Sequence, residues 1–442
     1  MNNRRPPLPP GPWLVVGLAR SGVAAARALW ARGEPVIGVD AGEPDEAAAL
    51  RDEGLEIWTG VDGLGELRRA RAVVKSPGVP REIPLIVAAQ RLGLPLIGEL
   101  ELGWRLVEQP FVAVTGTNGK TTTVELLGAI WRTAGREVAV AGNVGTAVAS
   151  LAGQLADGAT VICEASSFQL EDTLAFAPDV AVLLNVTPDH LDRHGTLDAY
   201  REAKLRIFEH QGRDDIAILP ADLADLHRGA ARRVTFGGRD GDLALRDGII
   251  TWQGATLLQV AEVRLRGAHN IQNAMAAAAA ALAYGVDSAA VIEGLRTFPG
   301  VEHRLELVAT GGGVSWFNDS KATNVASAVV ALASFERPVH LILGGQAQGQ
   351  DFTPLRGPVE RGAAAIYLIG DAAPQLRAAL DGIAAPQHDC QTLAAAVERA
   401  AAATGEGDVV VLSPACKSFD QFRGGFEERG ALFKQLVAAL PG

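Results

Sequence analysis

The sequence predicts an α/β protein of three domains, each a mostly parallel sheet with helices between its strands. Three observations lead there. Short apolar runs rich in β-branched residues, each ending in glycines or small polar residues, alternate with helical stretches along the whole chain. Two of these runs, Trp13–Gly17 and Phe111–Thr115, empty into glycine turns that open directly onto a helical pattern. And 442 residues, 48% of them apolar, exceed what one ordinary domain needs.

The first domain is assigned to residues 1–98. After a proline-rich start, Trp13-Leu-Val-Val-Gly17 reads as a buried strand, Gly17-Leu-Ala-Arg-Ser-Gly22 as a turn, and Val23 to Arg32 as a helix. Pro35-Val-Ile-Gly-Val-Asp40 is a second strand, ending in an acid near the spacing at which a dinucleotide fold places its ribose-binding carboxylate. The turn is a weak G-x-G-x-x-G, with Ala19 at the middle glycine, so another diphosphate ligand fits as well as a nicotinamide dinucleotide. Arg71 to Pro80 adds a strand and the turn Ser76-Pro77-Gly78, whose backbone either lines that site or is a plain loop.

The central domain, residues 99–300, carries the strongest signal. Phe111-Val-Ala-Val-Thr-Gly-Thr-Asn-Gly-Lys-Thr-Thr-Thr123 is a strand, a glycine turn, a lysine and hydroxyls, then a helix. This is a phosphate-binding loop: Gly116 and Gly119 let the backbone of Thr117 and Asn118 curl so that N–H groups point at phosphate oxygens, and the helix start adds its positive end. Lys120 reaches the outer phosphates, and the hydroxyl of Thr121 or Thr122 suits Mg²⁺. Only two residues separate the glycines, which is shorter than the usual loop. Ala159 to Glu164 is a strand with an acid at its end, where a Mg²⁺ ligand belongs. The strand Val180–Val186 runs into Thr187-Pro-Asp-His-Leu-Asp-Arg-His194, a cluster of potential ligands at the edge where open α/β sheets bind.

The third domain, residues 301–442, has strands expected near Val314–Phe317, Val339–Leu343, Ala365–Ile369 and Val409–Leu412, with Gly344-Gly345 and Ser413-Pro414 in the loops that follow. The fold class is therefore a Rossmann-like N-terminal domain, a central domain like that of P-loop ATPases, and a Rossmann-like C-terminal domain.

These motifs resemble the Mur ligases over nearly the whole chain. The family-level match lies in Thr115-Gly-Thr-Asn-Gly-Lys-Thr-Thr122, Asn185-Val-Thr-Pro-Asp-His-Leu-Asp192, Gly267-Ala-His-Asn270 with Asn273, and His303-Arg304. Similarity to the glutamate-adding branch rests on Glu164-Ala-Ser-Ser-Phe-Gln-Leu170, Asn318-Asp-Ser-Lys-Ala-Thr-Asn324 and Ser413 to Phe422. The resemblance implies that ATP phosphorylates the carboxylate of UDP-N-acetylmuramoyl-L-alanine and that the amine of D-glutamate attacks the acyl phosphate. It implies that Lys120 stabilises the moving phosphoryl group, that Thr121 and Glu164 hold one Mg²⁺, and that His190 helps hold a second. Lys204, which the local sequence would place on a helix surface, is implied to be carbamylated by CO₂ and so to become an oxygen ligand. The uridine diphosphate group is implied to lie at Arg20, Ser21 and Gly22, with Asp40 near the uracil, Ser76, Pro77 and Gly78 close by, and Asn143 at the sugar-phosphate part. Asn270 and Asn273 are implied adenine contacts, with Arg304, Asp319 and Lys321 at the ATP phosphates and ribose, and ligand binding is expected to close the third domain.

The glutamate pocket departs from the family pattern. Thr323, Ser418, Phe419 and Phe426 match glutamate-binding positions, but Gln348 stands where a lysine usually meets the side-chain carboxylate, and the loop before Phe426 is one residue longer. Lys417, where a small residue is expected, is the candidate for the missing charge.

Composition sets the remaining expectations. Forty basic against 51 acidic residues give a net charge of −11, which argues against non-specific nucleic-acid binding. Cys163, Cys390 and Cys416 are widely spaced, as in a reducing cytoplasm, with no metal-binding pattern among them. The N-terminus lacks the pattern of a signal peptide, and the alanine tract 274–283 is too short to span a membrane. A cytoplasmic monomer acting on small molecules, with no nucleic acid or membrane insertion, is the expectation.

Overall fold

The structure is a computed structural model and describes residues 5–265, 267–335, 337–347 and 349–440. The chain divides into two compact units, Met1–Arg264 with Asn270–Phe298, and Leu265–His269 with Pro299–Gly442.

The first unit holds two sheets. Trp13–Val16 (β1), Val36–Asp40 (β2), Glu56–Thr59 (β3), Ala72–Lys75 (β4) and Leu96–Gly98 (β5) form a parallel sheet ordered β3-β2-β1-β4-β5. β1 and β4 are buried along their whole length, as strands covered by helices on both faces are; β1 is apolar throughout, and Lys75 at the end of β4 is buried against Asp172. The order reverses between β1 and β4, so the turns at Gly17 and Ser76 flank the switch point. The following helix starts at Arg20, earlier than the expected Val23, which puts Arg20, Ser21 and Gly22 in its first turn without a side-chain cap.

The second sheet comprises Phe111–Thr115 (β6), Val138–Gly142 (β7), Thr160–Glu164 (β8), Val180–Leu183 (β9), Ile216–Pro220 (β10), Arg232–Phe236 (β11), Leu243–Arg246 (β12), Ile249–Trp252 (β13) and Ala255–Gln259 (β14). Its order is β14-β13-β12-β11-β10-β9-β6-β8-β7, antiparallel only where β12, β13 and β14 pair. β6 lies between β8 and β9, which brings Thr115 level with Leu183 and Val114 level with Glu164. β9 stops at Leu183, short of the expected Val186, after one further backbone bond from Leu184 N–H to the Thr115 carbonyl. The alanine tract sits in the helix Ala268–Tyr284, where Ala274 and Ala276–Ala281 are fully buried. Among the described residues, no helix is long and apolar enough to cross a membrane.

The second unit has one sheet, of Glu306–Gly311 (β15), Val314–Asn318 (β16), Val339–Gly344 (β17), Ala363–Ile369 (β18), Gln387–Gln391 (β19) and Val409–Leu412 (β20), ordered β15-β16-β20-β17-β18-β19. All its pairs are parallel except β15 with β16. The carboxyl ends of β16, β20 and β17 are neighbours, so Asp319, Ser413 and Gly344 share one edge.

Candidate active site

The loop after β6 is fastened from one side and open from the other. Asn185, just past β9, accepts hydrogen bonds on Oδ1 from the N–H groups of Thr117 (3.1 Å) and Asn118 (2.9 Å), and its Nδ2 donates to the Asn118 carbonyl. Thr117 Oγ1 accepts from Thr187 N–H (3.0 Å) and from the Tyr200 hydroxyl (3.3 Å). The next amides belong to the start of the helix Lys120–Thr133, whose N-cap, Gly119, offers no side-chain cap. Uncapped first-turn N–H groups form an anion site. Gly119 sits at φ +88°, and a Cβ there would come within 2.1 Å of Asn273 Oδ1, so the loop tolerates no side chain at this point. Lys120 folds back to donate to the carbonyls of Gly116 and Thr117, both at 2.9 Å.

Glu164 ends β8 and is buried. Its Oε2 accepts from Thr121 Oγ1 (2.8 Å) and its Oε1 from Asn143 Nδ2 (2.9 Å), while Arg20 Nη2 donates to the Asn143 carbonyl (2.9 Å). Thr122 is buried beside them. A hydroxyl and a carboxylate side by side at a phosphate-type loop are hard oxygen donors of the kind Mg²⁺ takes, so these residues fit that ion.

Lys204 corrects the expectation of a surface lysine: it is 1% exposed. The helix Leu197–Glu209 buries Tyr200, Ala203, Lys204, Ile207 and Phe208 at helical spacing, which puts Lys204 in the middle of its apolar face. Nζ donates to the Gly116 carbonyl at 2.8 Å and lies 4.3 Å from the centre of the Tyr200 ring. Burial, reinforced by the charge of Lys120, pushes its pKa down to about 6. The amine is therefore largely neutral at pH 7 and nucleophilic. His190 takes the left-handed conformation (φ 51°), is half exposed, and has its ring 4.9 Å from Phe168 and 6.3 Å from Tyr200.

At the first sheet, Ser76 Oγ donates to the Gly17 carbonyl (2.6 Å), and a Cβ on Gly22 would strike that carbonyl at 1.8 Å. Asp40 accepts from the N–H groups of Leu18 (2.6 Å) and Gly42 (2.8 Å), so its carboxylate braces the turn. Pro77 accepts from Arg193 through its carbonyl, and a Cβ on Gly78 would meet nothing nearby. Asn273 is buried, with Nδ2 3.4 Å from Asn270 Oδ1.

In the second unit Asp319 is buried and accepts from Ser413 Oγ (2.8 Å) and Leu305 N–H (3.2 Å); burial raises its pKa to about 7, against the opposing effects of Ser413 and Arg304. Lys321 Nζ lies 5.6 Å from the Phe426 ring. Thr323 N–H donates to the Lys321 carbonyl. Ser418 is buried, whereas Phe419 is 58% exposed. Lys417 is exposed, and its carbonyl accepts from Gln346 N–H at 2.8 Å. Gln348 lies outside the described residues. Arg429, fully buried, donates to Ser320, Cys416, Lys417 and Gly344 oxygens and so ties three strand-end loops together. Sequence reasoning gave no role to Asn185, Tyr200 or Arg429; for Tyr200 the signal was there, one helical turn before Lys204.

The Mur ligase middle domain matches residues 114–281, and the Mur ligase glutamate ligase domain matches residues 303–416. A UDP-N-acetylmuramoylalanine–D-glutamate ligase of Acidobacterium capsulatum is 44% identical over 97% of this chain and 96% of its own. The chain belongs to the Mur ligase family. As a Mur ligase it is an ATP-dependent enzyme of peptidoglycan synthesis that joins an acid to an amine, forming ADP and phosphate. Ligases of the same name from Koribacter versatilis and Geotalea uraniireducens are 40% and 43% identical, each over 97% of both chains. Among solved structures, the UDP-N-acetylmuramate-alanine ligase of Thermotoga maritima aligns over 97% of this chain and 99% of its own, with TM-score 0.62 and 20% identity. A pseudomurein peptide ligase type C of Methanothermus fervidus aligns with TM-score 0.57 and 20% identity, over 96% and 99%. These two likenesses concern the fold.

Proposed function

We propose that this Mur ligase adds D-glutamate to UDP-N-acetylmuramoyl-L-alanine through an acyl-phosphate intermediate, as a cytoplasmic monomer. The observation that carries the reading is one hydrogen-bonded run, Arg20 to Asn143 to Glu164 to Thr121, from the turn of the first sheet to the phosphate loop. An acceptor bound at one end and ATP at the other would then meet beside Glu164. The names of the relatives support glutamate as the amino acid.

In this reading Gly116, Thr117, Asn118, Gly119 and Thr122 shape the cradle, and the helix start holds the phosphates. Lys120 swings from the loop carbonyls to the transferring phosphoryl group and neutralises its charge. Thr121, Glu164, His190 and a carbamylated Lys204 would hold Mg²⁺, which would supply positive charge to screen the phosphates. The neutral amine of Lys204 suits carbamate formation, since only an unprotonated amine attacks CO₂. A carbon-13 carbamate signal from labelled bicarbonate, absent in Lys204→Met, tests this.

Arg20, Ser21, Gly22, Asp40, Ser76, Pro77, Gly78 and Asn143 would hold the uridine-linked acceptor, with Asp40 acting through the turn it braces. Asn270, Asn273, Arg304, Asp319 and Lys321 would serve ATP. Asp319, buried with both oxygens engaged, holds its loop while Arg304 and Lys321 supply the charge. Thr323, Ser418, Phe419 and Phe426 would form the amino-acid pocket with Gln348, and Lys417 would supply a point charge for the second carboxylate.

Phosphate release is the test, with ATP, Mg²⁺ and UDP-N-acetylmuramoyl-L-alanine and a panel of amino acids. Turnover with D-glutamate alone supports the reading. Turnover with another amino acid and none with D-glutamate overturns the glutamate assignment, and ATP hydrolysis indifferent to both acceptor and amino acid overturns the ligation.

A further inference from the structure

We propose that Arg193 is a positioning residue that links the turn Ser76-Pro77-Gly78 of the first sheet to the conformation of His190, so that filling the uridine site sets the imidazole in place. Arg193 Nη1 donates to the Pro77 carbonyl at 2.9 Å, and Nη2 pairs with Glu171 Oε2 at 3.1 Å. Its guanidinium lies over the Phe168 ring, 4.1 Å from the centre, and the same ring contacts His190 at 4.9 Å. One planar group thus touches the first sheet, the end of the helix Ser167–Glu171 and the ring on which His190 rests. A lysine, with a single compact charge, cannot make all three contacts.

The linkage has a stiff base and a strained end. Asp172, next to Glu171, is buried between Lys75 Nζ (2.8 Å) and Arg81 Nε (2.9 Å), which pins the helix end to the strand leading into the Ser76 turn. His190 is the N-cap of the short helix Leu191–His194, and its positive φ persists only where surrounding contacts hold it. Arg193 and His194 both return N–H groups to the His190 carbonyl, at 3.1 and 3.0 Å, and His194 Nδ1 lies 3.1 Å from Glu171 Oε1. A displacement of the Pro77 carbonyl therefore pulls on the segment that sets the His190 backbone.

The inference rests on the ligase reading for the meaning of the uridine site, but its test uses no turnover. UDP, which lacks the N-acetylmuramoyl and alanine groups that could reach His190 directly, is titrated into wild type and Arg193→Met while the His190 ring resonance, assigned with His190→Gln, is followed by NMR. In wild type UDP is expected to shift the resonance. In Arg193→Met, UDP should bind within about threefold of wild type while the His190 shift is lost, because the coupling and not the site has been removed. An equal shift in the variant overturns the proposal. Failure of UDP to bind wild type would sink the uridine-site reading instead, and the unliganded proteins then decide: an unchanged His190 resonance in Arg193→Met overturns the linkage, a displaced one supports it. Should Arg193→Met not fold, Arg193→Lys carries the same comparison.

Discussion

Replacing Lys204 with methionine should stabilise the first unit at neutral pH while abolishing turnover, and the stabilisation should shrink as pH rises. Burial lowers the amine pKa from its ordinary 10.5 to about 6. Below pH 6 the group is protonated in both folded and unfolded chains, and folding bears the whole cost of burying the charge. Between pH 6 and 10.5 the unfolded chain holds the proton and the folded chain does not, so stability rises by about 1.4 kcal/mol per pH unit. At pH 7.5 about three units of that window remain, so the lysine still costs about 4 kcal/mol relative to an unshifted group. Methionine removes that cost and loses the bond to the Gly116 carbonyl, worth about 1 kcal/mol. The net gain is about 3 kcal/mol at pH 7.5 and about 2 kcal/mol at pH 8.5. Urea unfolding of both proteins in CO₂-free buffer at pH 6.5, 7.5 and 8.5, following the first unit's transition, measures the difference. A stability gap that does not change with pH would refute a neutral buried amine.

Three further substitutions follow from the geometry. Gly119→Ala puts a methyl group against Asn273 at a positive φ and should lower stability by about 1–3 kcal/mol and weaken ATP binding about tenfold, read by urea unfolding and nucleotide titration. Glu164→Gln preserves the shape around Thr121 and Asn143 but removes the charge, so turnover should fall about a hundredfold or more with an unaltered circular dichroism spectrum. Lys417→Ala should raise the KM for D-glutamate about tenfold and leave that for ATP in place; an unchanged glutamate KM disposes of the proposed point charge.

Much of this was legible in the residues. The strand Phe111–Thr115, two glycines and the helix from Lys120 declare themselves because backbone curvature and burial demand those residue types in that order. The strands that extend the central sheet, β12 to β14, are joined at Asp247-Gly248 and Gln253-Gly254, both at positive φ, and of these two-residue turns only Asp-Gly is a strong hairpin signal in the sequence. For Lys204 charge alone suggests a surface, whereas its neighbours at helical spacing are apolar and buried. Asn185 and Arg429 act by fastening backbone that is distant in sequence, at separations of 67 and 109 residues, and no local pattern announces such contacts. Asp40 was legible as a strand-end acid, but only the fold reveals that it grips the turn after β1.

The acyl phosphate is the centre of the account, and oxygen-18 tests it most directly. With the alanine carboxylate of the acceptor labelled, an acyl phosphate requires a carboxylate oxygen to attack the γ-phosphorus and to leave with it when the amine of glutamate arrives. The released phosphate should then carry one heavy oxygen per amide formed. Phosphate free of label, alongside amide product, would contradict the mechanism.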